Sequence, residues 1–400
     1  MRFKGHGGSL TAIGVGVMAG AQEIGVKGRD LTGTERLKAA LVFAGLASFA
    51  LNGSGQSVFG LAIPVYMRAF GQTQAGASLL LSAFWVGAFL GVLSMIVWPA
   101  RLTPRIGLSV LAAGSALIAW QILWPVVLLG AMVFGFGYCA LAAIFNRRFL
   151  TEFGTRGPAM VGLLNAMFSV GAIVAPIVFV WFGGDPRPTY LLITGLALAA
   201  LPFARPGQIA APALGLALWS GLRPGILIFG TLAIGFEASM IGLGPTALLA
   251  SGLTEPRTAE LTSMFFVAFM VARLALFWIA QHVVPFRMMV VALAASGLAI
   301  LGAVFVAPGP FFVISGASVG LIFPGFFVSA VNRLGDDPRI APIIIASGLV
   351  GGITVPLLLG ALSAQAGAGW LFGLMASLAL GIALCALLAH REFAPKPAVG

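Results

Sequence analysis

Of the 11 acidic side chains in this chain of 400 residues, one stands in a setting that asks for an explanation. Glu237 lies within Leu232-Ala233-Ile234-Gly235-Phe236-Glu237-Ala238-Ser239-Met240-Ile241-Gly242-Leu243-Gly244-Pro245, part of an apolar run from about 222 to 250. A charge at the centre of a bilayer costs about 2.5–3.5 kcal/mol even on a lenient scale, so a carboxylate held there implies a task. Three tasks suit it: carrying a proton between two faces of a membrane, hydrogen-bonding between helices as a neutral acid, or touching a solute. Arg273 is the one basic residue inside an apolar run. At 1.5 Å per residue it sits roughly 12 Å from the cytoplasmic end of its span, and Glu237 roughly 20 Å from its own. That gap is large for a direct bond, though the long Arg side chain narrows it, and Arg273 can instead snorkel to the surface or cap helix ends.

Other polar side chains fall at helical spacing. Asn52 and Gln56 are four apart and share a helix face, as do Asn165 and Ser169. Trp85, with Ser82 nearby, and Tyr138 offer aromatic surfaces with hydrogen-bonding edges. A solute site is therefore expected from Asn52, Gln56, Trp85, Tyr138, Asn165, Ser169, Glu237 and Arg273, although Asn and Ser also bond neighbouring helices in membranes, at about 0.6 kcal/mol each. Gly87-x-x-x-Gly91 and Gly348-x-x-x-Gly352 are packing surfaces. Nothing points to catalysis, a metal or a cofactor. His6, His282 and His390 fall in tails or a loop, Cys139 and Cys385 sit far apart in apolar runs, and Gly14-Val15-Gly16 completes no dinucleotide fingerprint.

The elements that must position these groups follow from composition. Sixty per cent hydrophobic residues, 8% charged residues and a mean hydropathy of +1.06 exclude an ordinary soluble protein, in which about 25% are charged. About 20 apolar residues make one membrane helix. Twelve spans are expected, near 38–68, 76–98, 106–122, 124–146, 157–182, 188–204, 223–250, 258–281, 287–306, 309–332, 340–363 and 368–390. They divide into an N-terminal tail (1–37), a six-helix bundle (38–204), a linker (205–222), a second bundle (223–390) and a C-terminal tail (391–400). Arg2, Lys4, the run Leu10–Met18 and Ala19-Gly20-Ala21 imitate a signal peptide, but the run is short and glycine-broken. A cytoplasmic tail or an over-extended start is the reading adopted. The linker's Ile209–Trp219 is weakly amphipathic and has no basic face of its own.

Charge sets the orientation. With the N-terminus inside, Arg2, Lys4, Lys27, Arg29, Arg36, Lys38, Arg101, Arg105, Arg147, Arg148, Arg156, Arg205, Arg223, Arg287, Arg333, Arg339, Arg391 and Lys396 are cytoplasmic. Arg68, Arg187 and Arg257 alone face the other side, a strong positive-inside bias. The net charge of +11 thereby has an explanation that needs no nucleic acid. The expected location is the inner membrane of a bacterium, multi-pass, with both termini cytoplasmic.

The two halves repeat. A shift of 181 sets Phe59-Gly60-Leu61-Ala62-Ile63-Pro64 on Met240-Ile241-Gly242-Leu243-Gly244-Pro245, Gly71 on Gly252, and Phe84-Trp85-Val86 on Phe265-Phe266-Val267. Shifts of 186 and 180 set Asn146-Arg147 on Asn332-Arg333 and Val170–Pro176 on Val350–Pro356. Both halves start inside, so the repeats are parallel. The same shift makes Gln56 the counterpart of Glu237. On these motifs the chain resembles the major facilitator superfamily over about 38–390. Through Gly235-x-Glu237, Phe265-Phe266…Ala272-Arg273, Ile322-Phe323-Pro324 and Gly351-Gly352…Pro356 it is similar, more loosely, to the branch of the fucose permease and related sugar–proton symporters. The resemblance implies an all-α membrane protein of twelve helices and alternating access. Two departures stand out. Trp98–Gly107, where the superfamily carries its loop between helices 2 and 3, keeps the basic residues Arg101 and Arg105 as gating candidates but lacks the acid. Helices 1 and 4 hold no carboxylate of the kind the fucose permease has.

The function expected is proton-coupled transport of a small polar or amphiphilic solute, sugar-like by the resemblance, with protons, the solute and the bilayer as partners and a monomer as the working unit. The many Phe (31) and Met (13) also suit a proton-driven exporter of hydrophobic compounds. A transport-inactive receptor or scaffold on the same fold is a further alternative.

Overall fold

The computed structural model describes residues 33–97, 101–205, 223–279, 282–334 and 340–389. The expectations on the N-terminal 32 residues, the linker from 206 to 222 and the tail from 390 lie outside them. The described residues hold twelve α-helices: α1 (Gly33–Phe70), α2 (Gln74–Val97), α3 (Pro104–Trp120), α4 (Trp124–Glu152), α5 (Gly157–Trp181), α6 (Pro186–Ala200), α7 (Pro224–Ala250), α8 (Glu255–Ile279), α9 (Pro285–Phe305), α10 (Pro308–Leu334), α11 (Ile340–Ala366) and α12 (Leu371–Leu388). Ten are long and apolar enough to cross a membrane; α3 and α6 are shorter.

Helix starts follow local chemistry. Proline opens α3, α6, α7, α9 and α10, where its missing N–H costs nothing. Thr103 and Asp185 cap α3 and α6 by accepting from the backbone N–H groups of Ile106 and Arg187. The outer surface is apolar along its length, with Leu191, Ile228, Val291, Leu298 and Leu384 exposed, as in a protein solvated by lipid. Trp120, Trp181, Trp278 and Trp370 stand exposed at helix ends, the level at which indoles meet the membrane interface.

Packing partners in the first six helices recur in the last six. Helix α4 packs on α2 and α3, and α3 on α6; α10 packs on α8 and α9, and α9 on α12. Glycines that the offset of about 181 sets on one another make close approaches. A Cβ on Gly171 would run into the carbonyl oxygen of Ala50 (α5 on α1), and one on Gly351 into that of Thr231 (α11 on α7). Gly135 meets Phe84 O where α4 crosses α2, and Gly316 meets Phe265 O where α10 crosses α8. Small residues let backbones touch where the bilayer supplies no hydrophobic drive between helices. Gly87 and Gly91 likewise face the α4 carbonyls of Met132 and Phe136.

Candidate functional site

Glu237 lies in the middle of α7 and is 7% exposed. Its Oε1 accepts from Arg273 Nη2 of α8 at 3.2 Å, and its Oε2 accepts from the backbone N–H of Phe323 in α10 at 3.2 Å. Arg273 also donates its Nε to Gly320 O at 3.3 Å and lies over the Phe269 ring, 4.3 Å from the centroid. Proline explains why α10 can serve both partners. Pro324 has no N–H to give Gly320 O four residues earlier, so that carbonyl is left for Arg273. In the same opened turn, the N–H of Phe323 turns to the carboxylate. Arg273 therefore neither snorkels to the surface nor caps a helix end. The long arginine side chain spans the difference in depth between the two helix positions, and the acceptor that Pro324 exposes holds it there.

The facing wall is built by α1, α2 and α4. Asn52 donates Nδ2 to Tyr138 O at 3.0 Å, and Tyr138 donates its hydroxyl to Gln56 Oε1 at 3.2 Å. Asn52 Oδ1 is buried and has no hydrogen-bond partner among the described residues. Trp85 leans across to α11, where Gly352 leaves room: a Cβ there would meet its indole at 2.7 Å. These groups enclose a cavity of about 260 Å³ with Glu237, Arg273 and Asn165 on its rim, so seven of the eight expected solute-site residues line one space. Ser169 does not. It bonds Asn165 O at 3.2 Å and lines an adjoining cleft of about 560 Å³ between α5, α8 and α10. Asn165, Arg273 and Phe323 border both spaces and join them. Arg101 and Arg105 are exposed beside the start of α3, and neither makes an ion pair with a described residue.

Hydrogen bonds between the first and last six helices cluster where α1 ends and α2 begins. Ser82 donates to Ile353 O at 2.8 Å, joining α2 to α11, and Ser263 donates to Ile173 O at 2.8 Å, joining α8 to α5. Thr246 of α7 donates to Gly60 O at 3.3 Å, and Arg68 pairs with Glu255 at 2.7 Å. Proline recurs here. Gly60 O is the carbonyl that Pro64 leaves unpaired, and Ile173 and Ile353 stand in the turns preceding Pro176 and Pro356. The cavity extends away from this cluster, toward Asn146 near the end of α4 and Ile345 near the start of α11.

The architecture is the major facilitator fold. No protein-family model matches the chain, and no curated protein matches it in sequence. Solved structures do match. The nucleoside transporter NupG is 16% identical with a TM-score of 0.71, over 90% of this chain and 100% of that one. The fucose:proton symporter FucP of E. coli is 18% identical with a TM-score of 0.59, over 88% and 98%. The D-xylose-proton symporter is 12% identical with a TM-score of 0.70, over 87% and 96%. At these identities the likeness is one of fold, and the fold is the one that the resemblance in sequence implied.

Sequence reasoning missed Phe269, Cys139, Asn146, the Gly320 carbonyl and the Phe323 N–H. Two of these had a readable signal: Phe269 stands four residues before Arg273, and Pro324 four after Gly320.

Proposed function

We propose that the chain is a secondary transporter made of two parallel six-helix repeats, about 38–204 and 223–390, that moves a small solute by alternating access coupled to protons at Glu237. The observation that carries this is the Glu237–Arg273 pair: a carboxylate at mid-helix depth, on the wall of a cavity between the two halves, held by groups that can release it. Equivalent glycines at equivalent helix crossings support the repeat. Neighbours in fold that include two sugar–proton symporters and a nucleoside transporter support the class. Under the positive-inside orientation the bonded cluster lies at the outer face and the cavity opens inward, with both termini cytoplasmic. In the cycle, Glu237 takes a proton on one side, its hold on Arg273 weakens, the solute occupies the cavity with Asn52, Gln56, Tyr138 and Asn165 as hydrogen-bonding partners, and the halves rock. The apolar cleft favours a second direction of use, export of amphiphilic compounds in exchange for protons.

The test is transport in proteoliposomes with a panel of uridine, L-fucose, D-xylose and small carboxylates. Glu237→Gln should lose accumulation driven by a pH gradient while keeping counterflow of the same solute. Accumulation that survives the substitution would sink the proposal.

A further inference from the structure

Arg273 sets a condition on the solute. A guanidinium does not lose its proton in proteins, so this charge needs a counter-charge throughout the cycle. Glu237 supplies it while ionised. Once Glu237 takes a proton, no other acid among the described residues faces Arg273. Helix α4 presents Tyr138 and Cys139, α10 presents apolar side chains and backbone polar groups, and the α1, α2, α5 and α11 walls carry no titratable side chain among the described residues. The remaining polar side chains, Asn52, Gln56, Asn146 and Asn165 among them, are uncharged.

We infer that the solute is a small organic anion with an apolar body, its carboxylate paired with Arg273 in the place that neutral Glu237 gives up. This rests on the transporter reading above and adds the substrate class to it. The guanidinium fork matches a carboxylate in two parallel hydrogen bonds. Its Nε remains anchored on Gly320 O, so the charge stays in place while its partner changes. The apolar body has a matching space: the cleft beside Arg273 is walled by Met270, Leu274, Phe323, Pro324, Phe327 and Val328, with polar groups only on the α5 side and at Arg273 itself. The balance closes without any covalent change. One proton goes onto Glu237, one anion onto Arg273, and the loaded site carries the same net charge as the empty one. Transport of such a solute is therefore electroneutral, whereas a neutral sugar moving with one proton would carry charge.

Calorimetry on the purified full-length protein tests this with an isosteric pair, cyclohexanecarboxylate and cyclohexanecarboxamide, and with D-xylose as a polar neutral probe. Titration in buffers of different ionisation enthalpy reads proton uptake. The expected result is that the carboxylate binds at least tenfold tighter than the amide, with net proton uptake. Arg273→Gln should lower its affinity tenfold or more, and Arg273→Lys should fall between. Glu237→Gln should bind it without proton uptake. If Arg273→Gln does not fold, the amide-to-carboxylate ratio on the wild type and Arg273→Lys still decides. Equal binding of acid and amide, or no binding of the acid at millimolar concentration, overturns the anion site; the counterflow test on Glu237→Gln judges the transporter reading separately. Tight carboxylate binding without proton uptake in the wild type overturns the exchange of partners proposed here.

Discussion

Ser82 and Ser263 stand 181 positions apart and make the same bond: each donates across the two halves to an isoleucine carbonyl, at 2.8 Å, three residues before a proline inside the receiving helix. Two equivalent bonds on opposite flanks of the bundle form a symmetric clasp. A hydrogen bond of this kind in a membrane protein is worth about 0.6 kcal/mol. Ser82→Ala with Ser263→Ala should therefore shift the balance between closed and open states at this end roughly eightfold if the two add. Distances between spin labels at Gln72 and Leu253, in a background lacking Cys139 and Cys385, read this directly. The double variant should gain a longer-distance population; an unchanged distribution would mean the serines do not hold this end shut.

Pro324→Ala separates stability from function. Alanine restores the N–H that would reclaim Gly320 O, and with it a regular turn in α10. Thermal stability should hold or rise, because proline inside a helix costs about 3 kcal/mol where nothing compensates it. Transport should fall about tenfold or more, because Arg273 loses an acceptor and a hydrogen bond to a charged group contributes about 1.5–3 kcal/mol. Unaltered transport would remove the opened turn from the mechanism.

The ion pair predicts an asymmetry between its members. Removing Arg273 leaves a carboxyl that can neutralise itself with a proton; removing the charge of Glu237 leaves a guanidinium that cannot. Glu237→Gln should therefore lower the melting temperature more than Arg273→Gln does. The double substitution should recover part of the loss, because a lone buried charge costs more than none. Equal losses with no recovery would show that the two act independently.

Equivalent glycines should fail alike. Gly171→Ala and Gly351→Ala each drive a methyl into a backbone carbonyl that has nowhere to go, at a cost of about 1–3 kcal/mol. Gly195→Ala meets nothing within 4 Å among the described residues and is the control, expected to be neutral. Melting curves of the three variants check this, and a tolerant Gly171 or Gly351 would contradict the packing described.

Much of this was written plainly in the chain. Hydropathy marked the apolar helices because each must present apolar surface to lipid, ten of them long enough to cross a membrane, and the offset of about 181 set Pro64 on Pro245 before any packing was known. The polar side chains that line the cavity were legible because a polar group at membrane depth is costly and must face a cavity or a partner. What stayed hidden was backbone chemistry. That Gly320 O, Phe323 N–H, Gly60 O and the Ile173 and Ile353 carbonyls are binding groups depends on where prolines open the helices and on which helix lies opposite. Periodicity in one helix does not contain that information. The Ser82–Ser263 equivalence was within reach, two residues before the aligned Phe84 and Phe265, but only the packing shows that both face the other half.

The central claim is that Glu237 exchanges a proton within the membrane while Arg273 stays charged. Infrared difference spectra between acid and alkaline buffers test it without knowledge of the solute, by the carbonyl stretch of a protonated carboxyl in a non-aqueous setting. The account predicts such a band in the wild-type protein, its loss in Glu237→Gln, and a change in its pH midpoint when Arg273 is replaced by Gln. Identical spectra from the wild type and Glu237→Gln would contradict it.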